Sequence, residues 1–287
     1  MNTSWPTDSL ASAERRSFAQ PARAAARVNL DWLTWGAWSN SALGIGGLLA
    51  LLALWWVGTD VLASPQGFIR QFSPTTAIPK LIVLLSGPDL PVHILVSLRR
   101  VLVGLGFALL IGVPLGLAIG SYRRVNAATS PAFQFLRMIS PLSWMPIAVM
   151  VFGVGDDPIY FMLTFAAVWP IMLNTAEGVR RLQPSWLSLA SSLAATRWET
   201  LWHVILPGVL GHVLTGLRLA IGIVWIVLVP CEMLGVSAGL GYFILDTRDR
   251  LAYSELMATV LVIGLLGFLL DAGARTLYRM ATRSHAA

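Results

Sequence analysis

Four ionisable side chains lie inside long apolar runs of this sequence, where a charge is costly and is therefore a candidate for function. They are Arg137, Arg218, Glu232 and Asp271. Charged groups in hydrocarbon usually pair with one another or line a path for ions. We predict that Arg218, which lies deepest, contributes to a path for an anion, and that Glu232 lies at a gate. For Arg137 and Asp271, snorkelling or structural pairing is an equally good explanation.

The sequence lacks the residue patterns of a self-sufficient enzyme. Its four histidines are scattered without metal-ligand spacing, and Cys231 is its only cysteine. Its single lysine, Lys80, follows no glycine-rich run, whereas a P-loop needs Gly-Lys-Ser/Thr. We therefore predict a non-catalytic chain with no cofactor or metal of its own. If ATP drives its activity, a partner subunit supplies the site for ATP and Mg²⁺.

The composition indicates that these residues are positioned by helices in a lipid bilayer. The 287 residues are 56% hydrophobic and 12% charged, whereas soluble domains carry about 25% charged residues. Six apolar runs are long enough to cross roughly 30 Å of hydrocarbon. We predict an all-α polytopic membrane protein with six transmembrane helices, at residues 42–62, 94–120, 129–153, 158–177, 204–233 and 254–275.

The basic residues indicate the orientation of these spans rather than contact with nucleic acid. Most arginines outside the spans fall on the side of the N-terminus, and the other side holds only Arg70, Lys80, Arg248 and Arg250. Loops that stay in the cytoplasm carry the excess of Lys and Arg. We therefore predict that both termini and the loop 178–203 are cytoplasmic.

Small residues and prolines mark two of the spans. The second span contains five glycines that would let helices approach closely in lipid, namely Gly104, Gly106, Gly112, Gly116 and Gly120. The third span contains Pro141 and Pro146 and is predicted to be broken there. Broken helices at membrane depth are found where protein or a water-filled cavity covers the backbone.

Charged residues also lie near the outer ends of the predicted spans. Arg99 and Arg100 stand against the positive-inside trend, so they form either a positive vestibule that attracts anions or a packing contact with an outer loop. Asp156 and Asp157 form an acidic pair in a short outer turn. We expect this pair to be solvated.

The stretch from Pro184 to His212 has the pattern of a docking segment. Apolar and small residues recur at helical spacing after Pro184 and Ser185, which predicts an amphipathic helix over 184–198 outside the membrane. A second helix is expected to restart near Leu206-Pro207. The alternative is an ordinary amphipathic loop helix. The candidate docking residues are Trp186, Leu187, Ser188, Leu189, Ala190, Leu193, Ala194, Thr196, Arg197, Trp198, Leu206 and Pro207.

This stretch resembles the cytoplasmic coupling loop of bacterial ABC-importer permeases. The family pattern is Glu-Ala-Ala, three residues, Gly, nine residues and Ile-x-Leu-Pro. Residues 188–190 take the Glu-Ala-Ala places, Ala194 takes the Gly place, and Val204, Leu206 and Pro207 fit the end. The sequence departs from the pattern at Ser188, Leu189, Ala194 and Val204. We expect Ala194 to lie on the helix face that holds Leu187 and Ala190.

A wider resemblance covers residues 92–275, which are similar to the permeases of nitrate, sulfonate, taurine and bicarbonate ABC importers. It is carried by segments such as Ser97–Val101, Gly112–Gly116, Ser140–Ile147, Trp169-Pro170 with Asn174–Val179, Gly216–Leu219, Glu232–Gly235 and Gly239–Tyr242. From these segments, Ser140, Met145 and Asn174 join Arg218 and Glu232 as candidates for the translocation pathway or gate.

The resemblance implies a type I ABC-importer permease architecture with a cytoplasmic coupling helix. It also implies a second permease subunit, as a homodimer, two cytoplasmic ATPases, a periplasmic solute-binding protein and a location in the bacterial inner membrane. The expected cargo is a small anion, with nitrate or nitrite favoured over alkanesulfonate, taurine or bicarbonate. The rival class is a self-contained secondary anion transporter, which would usually show an internal repeat and a coupling-ion site. We see neither.

The predicted organisation of the chain follows from these assignments. Residues 1–40 form a cytoplasmic tail with an interfacial helix that carries Trp32, Trp35 and Trp38. Residues 41–91 hold the first span and an outer loop. Residues 92–280 form the permease core with five spans and the coupling loop 178–203, and residues 281–287 are a C-terminal tail.

Overall fold

The computed structural model describes residues 40–62 and 67–283, which are helical apart from short connections and contain no β-strand. The predicted Trp-rich helix within residues 1–39 and the end of the C-terminal tail, 284–287, lie outside the described residues. The helices are α1 (Asn40–Trp56), α2 (Pro74–Ser86), α3 (Asp89–Ser121), α4 (Arg123–Met138), α5 (Met145–Phe152), α6 (Asp156–Arg180), α7 (Pro184–Ser192), α8 (Arg197–Thr200), α9 (Leu206–Glu232), α10 (Leu240–Asp249) and α11 (Tyr253–Arg283).

Five helical segments of the described chain are long and apolar enough to cross a membrane. They are Gly44–Val61, Asp89–Ser121, Asp156–Arg180, Arg197–Glu232 and Tyr253–Met280. These segments confirm five of the six predicted spans. The sixth, predicted at 129–153, consists of Arg124–Met138 and Pro141–Phe152, which are bent by 87°. It is a sixth span only if this bent pair is counted as one.

The bend has a local cause at Pro141. Ile139 and Ser140 leave the helical conformation, with ψ values of 125° and 130°. Proline disfavours a helical conformation in the residue before it and offers no backbone N–H. Pro146, which the sequence also suggested as a breaking point, lies in the first turn of α5, where proline is tolerated.

The chain divides into two compact units, residues 1–51 and 52–287, and the core described here belongs to the second. Helix α6 is its centre, because α6 packs against both α3 and α9. The main hydrophobic cluster joins Val101, Leu105 and Ala108 of α3 to Ile159 and Leu163 of α6, and it continues to Ala220, Val224 and Leu228 of α9. A smaller cluster joins Leu90 of α3 to Leu240 and Phe243 of α10 and to Val262 of α11, and Leu81 and Leu84 of α2 pack against it.

Glycine allows the close approach of α3 to α6. A Cβ at Gly116 would lie 2.6 Å from the carbonyl oxygen of Met172, and one at Gly104 would lie 2.7 Å from the Cβ of Leu163. Gly112 and Gly120 meet α6 in the same way. The predicted role in helix packing is thus confirmed for four of the five glycines. Gly106 is the exception, because no atom lies within 4 Å of its Cβ position.

The segment before α9 differs from the expected restart at Leu206-Pro207. The helix is continuous from Arg197 to Glu232 and passes through a π turn at Leu201–Ile205. The backbone N–H of Leu206 donates to the carbonyl of Leu201, and Pro207 has no N–H to continue the usual ladder. Proline therefore produces a local widening of the helix rather than a new start.

The glycine contacts predict different effects for two substitutions on α3. Gly116→Ala should destabilise the protein by about 1–3 kcal/mol, because the added Cβ has no room beside the backbone of α6. Gly106→Ala is the matched control and should leave stability nearly unchanged. The measurement is the temperature at which half of the detergent-purified protein is no longer monodisperse. Equal midpoints for the two variants would contradict this account of α3–α6 packing.

Candidate functional site

Helix α7 presents apolar side chains to the surroundings. Trp186, Leu187, Leu189 and Leu193 are 41–75% exposed, whereas Ala190 is buried at 6%. Pro184 occupies the first turn, and the Ser188 hydroxyl donates to the carbonyl of Pro184 at 3.1 Å. A contiguous apolar surface on a helix between two membrane spans is typical of a contact with another protein.

Helix α7 rests on the beginning of α9. A Cβ at Gly208 would lie 2.5 Å from Leu182 Cδ2 and 3.4 Å from the ring of Trp186, so the absence of a side chain there permits this contact. Beside it, a cavity of about 500 Å³ separates Leu189 and Ala190 from Pro207 and its neighbours on α9. A displacement of α7 would therefore reach α9 through Trp186 and Gly208.

Helix α7 ends at Ser192, so the prediction of one continuous helix over 184–198 is wrong. The backbone N–H of Ala194 donates to Ser191, and that of Ala195 donates to Ala190 at 3.0 Å. These two bonds form a Schellman motif, in which the residue after the helix is left-handed and usually glycine. Ala194 has φ of 52°. It therefore lies beyond the helix end, not on the face of Leu187 and Ala190.

A second start signal follows at Thr196. Its hydroxyl accepts from the backbone N–H of Glu199, and the Glu199 carboxylate accepts from the backbone N–H of Thr196 at 2.7 Å. This capping box begins α8 and leaves Arg197 and Trp198 exposed. Leu206 and Pro207 follow directly after the π turn that joins α8 to α9. The predicted docking residues thus form one connected segment, within which α7 ends and α8 begins.

At the other end of α9, Glu232 lies in a buried ion cluster. Its side chain is fully buried, and its carboxylate accepts from Arg100 at 2.7 Å and from Ser97 at 2.8 Å. It also accepts from the backbone N–H of Gly241 at 3.0 Å. The cluster therefore ties α3, α9 and α10 together. The role of Glu232 as a gate stays a prediction.

The same cluster includes the start of α6. Arg100 donates to Asp156 at 2.6 Å and to the carbonyl of Ala238 at 2.7 Å, and Arg99 also pairs with Asp156. The expectation that Asp156 is merely solvated is wrong. Of the two alternatives for Arg100, the structure shows packing against the loop before α10, since its side chain is 3% exposed.

Gly239 is required for this packing. Its φ is 123°, in a region that other residues rarely adopt, and a Cβ there would lie 2.5 Å from both Arg100 Nη1 and the Glu232 carboxyl carbon. Its backbone N–H donates to His93 Nδ1 at 3.0 Å. The sequence analysis did not identify Ser97 or His93 as partners, because both lie more than a hundred residues from the groups they contact.

The other candidates for the translocation pathway do not converge. Arg218 on α9 pairs with Asp271 on α11 at 3.2 Å, which supports structural pairing for Asp271, and both side chains are partly exposed. Met145 is buried in the main core, Ser140 is exposed at the bend, and Asn174 donates to the carbonyl of Pro170. Among the described residues, no hydrogen bond or ion pair joins any two of the five.

The burial of Glu232 predicts a structural phenotype. Glu232→Gln should destabilise the protein by about 3 kcal/mol or more, because Arg100 loses a charged partner inside the protein. Asp249→Asn removes a carboxylate from an exposed pair with Arg248 and should cost less than about 1 kcal/mol. Thermal midpoints of the detergent-purified variants measure the difference. A Glu232→Gln protein of normal stability with blocked transport would instead favour the gate.

Comparison with known proteins adds to this geometry. Residues 112–284 match the family model of the binding-protein-dependent transport system inner membrane component. The taurine transport system permease protein of Escherichia coli (strain K12) is 34% identical, over 89% of this chain and 94% of its own length. The bicarbonate transport system permease protein of Synechococcus elongatus is 40% identical, over 66% of this chain and 68% of its own.

One further relative and one solved structure extend the comparison. The nitrate import permease protein of Synechocystis sp. is 31% identical over 78% of this chain and 83% of its own length. The MetNI methionine ABC transporter, solved in inward-facing conformations, shares the fold with a TM-score of 0.53 at 14% identity, over 64% of this chain and 92% of that one. Because the family model covers more than half of the sequence, this chain belongs to the binding-protein-dependent transport system inner membrane components, the permease subunits of ABC importers.

Proposed function

We propose that this chain is the transmembrane permease subunit of an ATP-driven importer that carries a small oxyanion, with nitrate or nitrite as the first candidate. The observation that carries the proposal is the similarity to permeases named for taurine, bicarbonate and nitrate, whose cargoes all carry an anionic oxygen group. Taurine or another alkanesulfonate, and bicarbonate, are the alternatives. Family membership disfavours a self-contained secondary anion transporter.

The exposed face of α7 supports an ATPase partner. In the proposed assembly, two permeases pair in the inner membrane, two cytoplasmic ATPases bind ATP and Mg²⁺, and a periplasmic binding protein delivers the anion. Leu189 and Trp186 lie on a surface that a groove of the ATPase would cover. Closure of the ATPases would push α7 against the start of α9 at Gly208 and tilt that span.

The orientation follows from the same assembly. A docking surface for a cytoplasmic ATPase requires that α7 and both termini face the cytoplasm, in agreement with the distribution of arginine. The ion cluster around Glu232 then lies at the periplasmic end. It would hold α3, α6, α9 and α10 together on the side where a binding protein docks.

The docking role predicts loss of the ATPase on a single substitution. Leu189→Arg should abolish co-purification with the ATPase, because a charge would enter an apolar contact without a partner. Leu234→Arg is the matched control, since Leu234 is similarly exposed but follows the far end of α9. This variant should keep the ATPase bound. Normal ATPase binding by Leu189→Arg, with the control also normal, would show that α7 is only a connector.

The substrate class is tested with the whole importer. Permease and ATPase are reconstituted in vesicles with the binding protein, and ATP hydrolysis is measured with nitrate, nitrite, bicarbonate, taurine and a sugar. We expect at least a severalfold stimulation by an oxyanion, with nitrate or nitrite strongest. Stimulation by taurine or bicarbonate alone would select that alternative. Stimulation only by the sugar or by a cation would refute anion import.

A further inference from the structure

A polar stripe on α4 contains Arg137, which the sequence analysis left open between a function and a structural role, and three residues that no assignment above has used. Asn126, Ser130, Gln134 and Arg137 follow one another at intervals of four, four and three residues. Residues at this spacing lie on one face of a helix. None of the four side chains makes a hydrogen bond or ion pair that would satisfy it within the described residues, although all four carry N–H or O–H donors.

This stripe lines one side of a cavity of about 60 Å³, and α3 and α6 form the other side. Ile119 and Leu173 contribute apolar surface, and Trp169 packs on Phe133 with ring centroids 5.8 Å apart. The indole N–H of Trp169 is buried and has no acceptor in the part of the chain that the structure describes. Buried donors are normally satisfied, so this one calls for an acceptor.

The charge of the cavity favours an anion as that acceptor. Two arginines, Arg137 and Arg180, line it, and no aspartate or glutamate does so among the described residues. Arg180 is partly compensated by Glu177 at 3.4 Å, whereas Arg137 has no carboxylate partner within the described chain. The side chains that surround the cavity therefore offer donors and positive charge and lack a compensating acceptor.

The volume restricts the size of the ligand. One water molecule needs about 10–15 Å³ of cavity volume. The cavity of about 60 Å³ therefore accommodates roughly four to six groups of the size of water. Nitrate and bicarbonate each have four non-hydrogen atoms, and taurine has seven. A planar ion with three oxygen atoms fits this space.

We propose that α4 and α6 form an anion-binding site for a small planar oxyanion, with nitrate or bicarbonate as its occupant. The Trp169 indole N–H and the Arg137 guanidinium bind its oxygens, and Asn126, Ser130 and Gln134 complete the polar rim. The site lies near the C-terminal ends of α3 and α6, and the chain continues from α6 into α7. The assignment of the cargo to this site rests on the proposed function, because an imported anion would pass this end before release.

The test measures ligand-induced stabilisation of the purified permease–ATPase complex. Thermal midpoints are recorded against increasing nitrate, bicarbonate or taurine, with potassium gluconate holding the ionic strength constant. A ligand that binds the folded state raises the midpoint by mass action. We expect the midpoint to rise with the logarithm of the nitrate or bicarbonate concentration above its dissociation constant, by about 3 °C at ten times that constant. We expect no rise for taurine at the same concentration.

Three variants locate the effect. Arg137→Gln and Trp169→Phe should each reduce the rise in midpoint at least threefold. Arg124→Gln, on the same helix but outside the cavity, should retain it. Trp169→Phe keeps an aromatic ring beside Phe133, so it tests the N–H even if Arg137→Gln does not fold. An unchanged rise in both cavity variants, an equal rise with taurine, or no rise with nitrate and bicarbonate would overturn the site.

The transport assay separates this inference from the proposed function. If nitrate-loaded binding protein stimulates the wild-type ATPase but nitrate gives no rise in midpoint, the α4 site is wrong and anion import stands. If nitrate gives a rise that Arg137→Gln removes but no oxyanion stimulates the ATPase, the site stands and the proposed cargo is wrong.

Discussion

The architecture depends on the close packing of α6 between α3 and α9. Lipid tails are as apolar as the side chains, so the hydrophobic effect does not draw spans together, and dense contacts between backbones take its place. Helix α3 approaches α6 closely at four glycines, Gly104, Gly112, Gly116 and Gly120. Helix α9 approaches α6 at Gly216, where an added Cβ would lie 2.8 Å from the Pro170 carbonyl oxygen. These contacts join three spans into one unit, and both the Glu232 ion cluster and the contact with α7 are built on that unit.

The two ends of the unit are fixed by different interactions. At one end, Arg100 joins Asp156 and Glu232, so ion pairs in a buried setting hold the starts or ends of four helices in one arrangement. At the other end, the contact of α7 with α9 relies on Trp186 and the missing side chain of Gly208, and a cavity lies beside it. The first arrangement resists movement, whereas the second leaves room for it. This asymmetry suits a device that receives force at α7.

Hydropathy was sufficient to predict the spans, because their length and composition are local properties of the sequence. The 87° bend was only partly predictable: Pro141 indicated a break but not its angle, which depends on how α4 and α5 pack. The family motif led to a wrong prediction for Ala194. This residue was expected on a helix face, but it has a left-handed backbone conformation and lies beyond the end of the helix. The partners of Asp156 could not be predicted, because Arg100 is 56 residues away and only the fold brings them together.

Formal charge in an apolar run does not by itself distinguish an anion pathway from a structural ion pair, and the reason is physical. A charge in a span is costly, so evolution of a stable fold favours a partner for it, as Asp271 provides for Arg218 and Glu232 provides for Arg100. Donors that remain without an acceptor are more informative, and these become visible only in three dimensions. Trp169 is an example, because its sequence neighbourhood predicts a packed aromatic residue and only the structure shows that its buried indole N–H has no acceptor among the described residues.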